Sequence, residues 1–377
     1  MTTVLEYGGG LEKYLIDTAA HLAEAENVTA DVISMDDVHT QRIIQLLNVF
    51  RGQKIDLALS YKLDLADIRA RLGAAHYYKI KNFAELRKKL NEYDVVYSKN
   101  EILEAFILKF LVGYKNIPPV IFGGHTPLCY PRARSFHAKL HNLLYTGWFY
   151  RFLSSGVDRF HVLNQFEHQL YRRLFPRRMV YKINNPFDSA AYRRQARAHH
   201  HGFGFSKAHR HILWAGRLSE QKGVHTLVQL ITELTPKAEG VIWHIVGDGE
   251  DRPAIERLIR DHANVQYHGH VDPALMPSVY QDSDLFLSTS QWEGYPYTLL
   301  EARAFDLPII AFNIPGTKDI LEKYDKGVLV ADAAEMKQAL MAALAKPKPV
   351  SHQSDQEDEF QPDYIYRQLI SALKGQS

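Results

Sequence analysis

Two carboxylates and two cations in the second half of this 377-residue sequence are spaced as a ligand site would need them. Glu293 and Glu301 stand eight positions apart in Ser288-Thr289-Ser290-Gln291-Trp292-Glu293-Gly294-Tyr295-Pro296-Tyr297-Thr298-Leu299-Leu300-Glu301-Ala302. The first sits in a Gly/Pro-rich loop and the second in the first turn of the helix that follows. A carboxylate accepts paired hydrogen bonds from adjacent hydroxyls, so two of them can hold a sugar ring and a ribose while the amides between them face phosphate. Each has a structural alternative. Thr298-Leu299-Leu300-Glu301 matches a capping box, in which Glu301 bonds back to the helix start, and Glu293 could be a solvated loop carboxylate.

The cations lie in Gly216-Arg217-Leu218-Ser219-Glu220-Gln221-Lys222-Gly223, directly after the strand-like ILWA and before a helical segment. A diphosphate suits such a pair: Arg217 offers a planar five-donor fork, Lys222 a point charge, and the helix start oriented amides. An exposed Arg and a solvated Lys are the alternative. A third loop, Gly247-Asp248-Gly249-Glu250, is not a dinucleotide fingerprint, because Arg252 stands at the third glycine position. Its glycines permit either close backbone approach to a ligand or simply a turn. Asp282-Ser283-Asp284 has the DxD pattern that holds a divalent ion in metal-dependent sugar transferases. Here it precedes its strand, which makes Asp284 a strand-start residue, and no metal site is expected.

Loops of this kind need parallel strands to position them, since ligands in open parallel sheets lie at the strands' carboxyl ends. Short apolar runs rich in β-branched residues alternate with helical-period segments along nearly the whole chain, the signature of βα units. The first series covers 2–5, 30–34, 94–97, 120–122, 159–163 and 180–183, and the second 211–215, 241–246, 265–267, 284–288, 308–312 and 328–330. In the helix expected at 11–25, Leu11, Tyr14, Leu15, Thr18 and Leu22 share one face. The polar stretch 189–208, with His199, His200 and His201, has neither period and reads as a solvated hinge rather than a zinc site. Boundaries follow at 1–190 for a first domain, 191–208 for a linker, 209–350 for a second domain, and 351–377 for a tail ending in a helix at 363–373 that could pack back on the first domain. Length alone favours two domains.

Composition excludes extensive disorder: 46% of residues are hydrophobic and 23% charged. Cys129 is the single cysteine, so no internal disulfide can form, and a cytosolic compartment is expected. The first residues lack the basic and apolar stretches of a signal peptide, and no apolar run is long enough to span a membrane. Net charge is only +2, yet between His125 and His201 thirteen basic residues, Arg132 to Arg197, face three acidic ones. That asymmetry suits an anionic partner such as a membrane surface, a phosphorylated lipid or an acidic glycan; a solvated surface is the alternative.

The run 212–320, with GRLSEQKG, VGDGEDR, the Gly269 loop, DSDLFLSTSQWEGYPYTLLEA and LPIIAFNIPG, resembles the donor half of family 4 of the retaining glycosyltransferases. The resemblance implies an α/β GT-B fold, two Rossmann-like parallel-sheet domains facing across a cleft. It implies Arg217 and Lys222 on the donor diphosphate, Glu293 on the transferred sugar, Glu301 on the ribose, and Gly294, Tyr295, Pro296 and Tyr297 around phosphate and hexose, with Gly216 and Gly247 lining the donor site. In the first half, Gly8-Gly9-Gly10 is similar to the family's glycine loop, which puts Gly9 and Gly10 near the donor. Gly124-His125-Thr126-Pro127 sits where the family places a histidine near the reacting carbon. A flexible turn and an incidental loop histidine are the alternatives there. Asp306 departs from a common glycine, and Asn184-Asn185-Pro186-Phe187-Asp188 from the usual hinge.

What the resemblance implies is a metal-independent, retaining hexosyltransferase using a UDP- or GDP-sugar as co-substrate and no cofactor. The basic stretch Arg132 to Arg197 directs the expected acceptor toward a glycan or lipid-linked chain near the inner face of a membrane, as in bacterial surface polysaccharide synthesis, with no nucleic-acid partner. The catalytic set would be His125, Glu293, Arg217 and Lys222. A sugar-nucleotide epimerase, a sugar phosphorylase and a catalytically silent scaffold share the plan and stay open.

Overall fold

The computed structural model describes residues 10–25, 28–34, 65–99, 101–125, 127–130, 136–198, 205–206, 208–235, 240–347 and 360–376. The expected strand at 2–5, Gly8, Gly9, Arg132, Arg134 and the three histidines at 199–201 lie outside them. The chain divides into two units, Met1–Asn184 with Asp363–Ser377, and Asn185–Pro362.

Apolar residues on two sides of helix α1 (Gly10–Glu24) explain its place in unit 1. Ile16 and Ala19 pack with Val32, Ile68 and Leu72, and Leu22 packs with Ile183, Ile365 and Leu369. The last two belong to the terminal helix, Pro362–Lys374, which is therefore part of unit 1. Strands β1 (Val32–Ser34) and β2 (Tyr77–Lys79) form a parallel pair. The sequence gives no sign of β2, because Tyr77, Tyr78 and Lys79 are half-buried or exposed and do not alternate.

Strands β3 (Val96–Lys99), β4 (Val120–Gly124), β5 (Arg159–Val162) and β6 (Met179–Lys182) make a four-stranded parallel sheet in chain order. Phe122, Phe160, Tyr150 and Tyr171 are buried in its core.

Unit 2 holds β7 (Arg210–Ala215), β8 (Val241–Val246), β9 (Val265–Gly269), β10 (Leu285–Ser288), β11 (Ile309–Phe312) and β12 (Gly327–Val330). All pairings are parallel and the order is β12-β11-β10-β7-β8-β9. The chain starts at β7, builds outward to β9, then returns to β10 on the other side of β7. That reversal makes the gap between β7 and β10 the topological switch point, where the connecting helices leave on opposite faces. Ile212, Trp243, Ile245, Leu285, Leu287 and Ile310 are buried on one face and Leu213, Phe286 and Ile309 on the other, which fits a sheet covered on both faces.

Two expectations need correction. The polar stretch read as a hinge from 189 is helical as far as Ala198: Asp188 Oδ1 accepts from Ala191 N–H at 2.7 Å near its start. Tyr192 rests against Tyr280 and Phe305, with ring centroids 6.3 and 5.9 Å away. One large apolar residue in an Ala- and Arg-rich helix is too weak a period to read. The capping box at Thr298 is also absent, as the next subsection describes. Asp306, where the resembling family commonly has glycine, has φ 58°. Its carboxylate is held by Lys326, and aspartate tolerates this left-handed backbone better than most residues.

Buried histidines link stability to pH in both units. His161 on β5 donates from Nε2 to the Ile183 carbonyl at 2.8 Å. On β7 to β9, His211 Nε2–H donates to the Ser206 carbonyl at 2.8 Å, and the ring nitrogens of His211 and His244, and of His244 and His268, lie within hydrogen-bond distance at 2.9 and 3.0 Å. Burial pushes His161 down to about 4 and His244 down to about 3. The unfolded chain takes up these protons as pH falls below about 6.5 and the folded one does not, so stability is lost on acidification. At pH 5 each should cost roughly 2 kcal/mol, lowering the melting temperature by several degrees from its pH 7 value. Thermal melts of the wild type and His244→Gln check this: the variant should show a shallower pH dependence, and equal slopes would contradict it.

Candidate functional site

The loops at the carboxyl ends of β7, β8 and β10 are fastened to one another by backbone hydrogen bonds. Leu218 N–H donates to the Asp248 carbonyl at 2.9 Å, and Asp251 N–H to the Leu218 carbonyl at 3.0 Å, joining the β7 and β8 loops. Gln291 N–H donates to the Gln221 carbonyl at 2.7 Å, and Gln221 Nε2 to the Trp292 carbonyl at 3.2 Å, joining the β7 and β10 loops. Thr289, fully buried, donates to the Lys222 carbonyl at 2.7 Å and accepts from the Trp214 indole at 2.9 Å. These contacts position Lys222 and Glu293 without either side chain taking part.

Glycine is required where the loops touch. At Gly223, φ is +69° and a Cβ would sit 2.1 Å from the Thr289 carbonyl oxygen. At Gly247, φ is +126° and a Cβ would sit 1.9 Å from the Gly216 carbonyl oxygen. Gly223→Ala should therefore destabilise unit 2 by roughly 2–4 kcal/mol, combining backbone strain with a clash against main chain. Chemical denaturation measures this; a change within about 0.5 kcal/mol would show that the loops separate freely.

Across the switch point, Lys222 Nζ donates to Glu293 Oε1 at 2.5 Å. Glu293 is only 8% exposed, so it is not the solvated carboxylate that the sequence left open. One ammonium proton goes to Glu293 and the remaining donors are available to an anion. Arg217 is exposed, and no other described residue engages its guanidinium. Helix α2 (Tyr297–Ala304) begins after Pro296 with no side-chain cap. Glu301 thus lies in its second turn, and Oε2 accepts from the buried Tyr280 hydroxyl at 2.8 Å instead of capping. Burial, then the Glu301 charge, raises the Tyr280 phenol well above its usual range, so it remains a donor. Gly294 is pressed from behind by Gly316, where a Cβ would lie 2.3 Å from the Gly294 carbonyl oxygen.

Asp284 faces the other way. Its carboxylate accepts from His211 N–H at 2.8 Å, at the amino end of β10, and is spent on pairing the strands. Among the described residues no group of three or more His, Cys, Asp or Glu side chains could hold a metal ion.

In unit 1, His125 follows directly on β4, and Gly10 opens α1. Nε2 of His125 lies 2.9 Å from the Tyr97 hydroxyl, which lies 2.7 Å from Nδ1 of His161. Because His161 already donates from Nε2, its Nδ1 accepts from Tyr97; the Tyr97 oxygen then accepts from His125 Nε2–H. His125 is left with a bare Nδ1. Burial, then His161, holds it well below the usual histidine range, which keeps it neutral. Tyr97 reaches this position because residue 123 is glycine: a Cβ there would be 2.0 Å from its hydroxyl.

Sequence reasoning identified Arg217, Lys222, Glu293 and Glu301, and unit 2 brings their loops together; Gly9 lies outside the described residues. It missed Tyr280, Tyr97 and His161, and gave no role to Thr289 or Gly316, although both lie within quoted runs, DSDLFLSTSQWEGYPYTLLEA and LPIIAFNIPG.

Two units of parallel α/β structure, one with its site at the switch point of a Rossmann-ordered sheet, make this a GT-B architecture. Solved structures agree on the fold: Anabaena Alr3699/HepE in complex with UDP superposes with a TM-score of 0.69 at 17% identity, covering 99% of this chain and 98% of that one. Sucrose-phosphate synthase from Thermosynechococcus elongatus also gives 0.69, at 16% identity over 99% and 97%.

Residues 209–346 match the family described as Glycosyl transferases group 1. An uncharacterized glycosyltransferase of Haemophilus influenzae is 26% identical over 223 residues, 58% of this chain and 60% of that one. The alpha-D-kanosaminyltransferase of Streptomyces kanamyceticus is 27% identical over 144 residues, 36% and 37% of the two chains. The matched segments thus span less than two thirds of these relatives' length.

Proposed function

We propose that this protein is a retaining glycosyltransferase that moves a hexose-type sugar from a UDP- or GDP-sugar, bound in unit 2, to an acceptor hydroxyl on a glycan or lipid-linked chain. The observation that carries this reading is the Lys222–Glu293 ion pair across the switch point, 2.5 Å long, with Arg217 exposed on the same loop as Lys222. A diphosphate placed there takes the remaining ammonium donors and the guanidinium fork. Glu293 Oε2 is then left for sugar hydroxyls, and Glu301, aimed by Tyr280, for the ribose. The UDP and UDP-glucose complexes of HepE, a protein of the same fold, support trying uridine donors first.

In the proposed reaction the bond from the anomeric carbon to the diphosphate oxygen breaks as the acceptor oxygen bonds to that carbon on the same face. The acceptor proton passes to the departing phosphate. Arg217 and Lys222 stabilise the charge that grows on the diphosphate, and preorganised cations of this kind commonly supply the largest catalytic contribution. No residue is assigned as a covalent nucleophile and no metal is required. His125, neutral with Nδ1 bare, is the unit 1 residue proposed to serve the transfer.

A thermal-shift series with UDP, GDP, UDP-glucose, UDP-N-acetylglucosamine and GDP-mannose, with and without a chelator, tests the reading. A diphosphate nucleotide should raise the melting temperature in a concentration-dependent way, unaffected by the chelator. The absence of any shift at millimolar nucleotide contradicts it.

A further inference from the structure

A second surface, on the opposite functional footing from the switch point, lies wholly within unit 1. There, aromatic side chains that a folded chain ordinarily buries face solvent: Trp148 is 76% exposed, Phe110 54% and Phe152 46%. They are not scattered. Phe106 and Phe110 meet at a tilt with ring centroids 5.0 Å apart, and Phe110 meets Phe152 at 6.1 Å. Phe152 and Trp148 together line a surface depression of about 450 Å³. One helix earlier in the chain, Phe136 and Leu143 are 73% and 69% exposed. Scattered apolar residues are normal on a surface, but a connected aromatic patch marks an interaction site.

The charged residues lining the depression all carry one sign. Arg151, Arg177 and Arg178 line the same depression. Lys109 reaches over the Phe152 ring, 4.8 Å from its centroid, and donates to Ser155. Arg178 donates to the Ser155 carbonyl at 2.9 Å, which ties the arginine loop to the aromatic helix. Among the described residues from 102 to 187 no carboxylate is exposed. Glu104, Asp158 and Glu167, the acidic residues from 102 to 187, are buried or half-buried. They are engaged by Lys99, Val120 N–H and Leu128 N–H respectively.

We infer that this face, built on Phe110, Trp148, Phe152, Arg151, Arg177 and Arg178, docks the protein on an anionic lipid bilayer. A tryptophan standing out among arginines suits the boundary between headgroups and acyl chains, where its ring is half in each medium. Guanidinium groups beside it meet the negative surface potential of acidic lipids. A second copy of the chain is a poor occupant. An isologous contact sets a patch against itself, which would bring the arginines of one copy onto those of the other. Docking requires neither nucleotide nor transfer, so it stands or falls apart from the reading of unit 2.

Co-sedimentation of the full chain with vesicles tests it, comparing phosphatidylcholine alone with phosphatidylcholine containing about one third phosphatidylglycerol. Binding should be at least about tenfold tighter to the anionic vesicles and should weaken as salt is raised. Arg177→Glu with Arg178→Glu should lower it at least about tenfold, while Trp148→Ser weakens binding and leaves its salt dependence unchanged. Circular dichroism melts matching the wild type would show that both variants remain folded. Equal binding to both vesicle types, or wild-type binding by the folded arginine variant, would overturn the inference. So would concentration-dependent dimerisation abolished by Trp148→Ser, which would give the face to a second copy.

Discussion

Lys222→Met and Glu293→Gln should each reduce sugar transfer by about two to three orders of magnitude, and each should also destabilise the protein. The catalytic part follows from removing a charge placed beside the departing diphosphate, or the anchor of the sugar ring. The stability part follows from the pairing: Lys222 is 19% exposed and Glu293 8%, so deleting one leaves the other partly desolvated without its counter-charge. Breaking a fully buried pair costs about 3–5 kcal/mol, and about 2 kcal/mol is expected here because the lysine retains some water. The double variant separates the two effects. With both charges gone, most of the lost stability should return, since a neutral pair of similar volume suits the site nearly as well. Transfer should remain lost. Chemical denaturation and a coupled assay for released nucleotide, run on the two single variants and the double, measure both quantities. Recovery of activity together with stability would mean that the pair is merely structural.

Arg217→Ala should give the complementary pattern. Its side chain is exposed and engaged by no other described residue, so stability should stay within about 0.5 kcal/mol of wild type. Transfer should nevertheless fall by about two to three orders of magnitude, because the forked contact to the diphosphate is lost. Arg217→Lys should recover only part of this, since an ammonium cannot reproduce a planar bidentate contact. Unchanged turnover in Arg217→Ala would remove this residue from the donor site.

The sheet of unit 2 was legible because its strands are short apolar runs separated by Gly-rich loops and amphipathic helices, a pattern that parallel α/β packing imposes on sequence. Expected and observed strand limits there differ by two residues at most. The residue types of the site were legible for a similar reason: few positions combine Arg, Lys and paired Glu with loops after strands.

What the sequence hid was contact. Lys222 and Glu293 are 71 positions apart, and only the order β10-β7 makes neighbours of their loops. Glu301 fitted a local motif, yet the helix begins two residues earlier than a capping box at Thr298 needs, and Tyr280, on the preceding helix, takes the carboxylate. His125 looked like a lone loop histidine because its partners, Tyr97 and His161, come from two other strands. The helix at Ser189–Ala198 was hidden by its polarity. Beside it, Asp306 fills a left-handed position that glycine usually holds, a conformation its identity alone does not announce.

The central claim is that the loops at the switch point of unit 2 hold a nucleotide diphosphate. A crystal structure of the protein grown with saturating UDP tests it most directly. The account predicts the two phosphates within hydrogen-bond distance of Arg217 and Lys222, and a ribose hydroxyl on Glu301. A nucleotide bound elsewhere, or an unaltered Lys222–Glu293 pair with no diphosphate beside it, would contradict it.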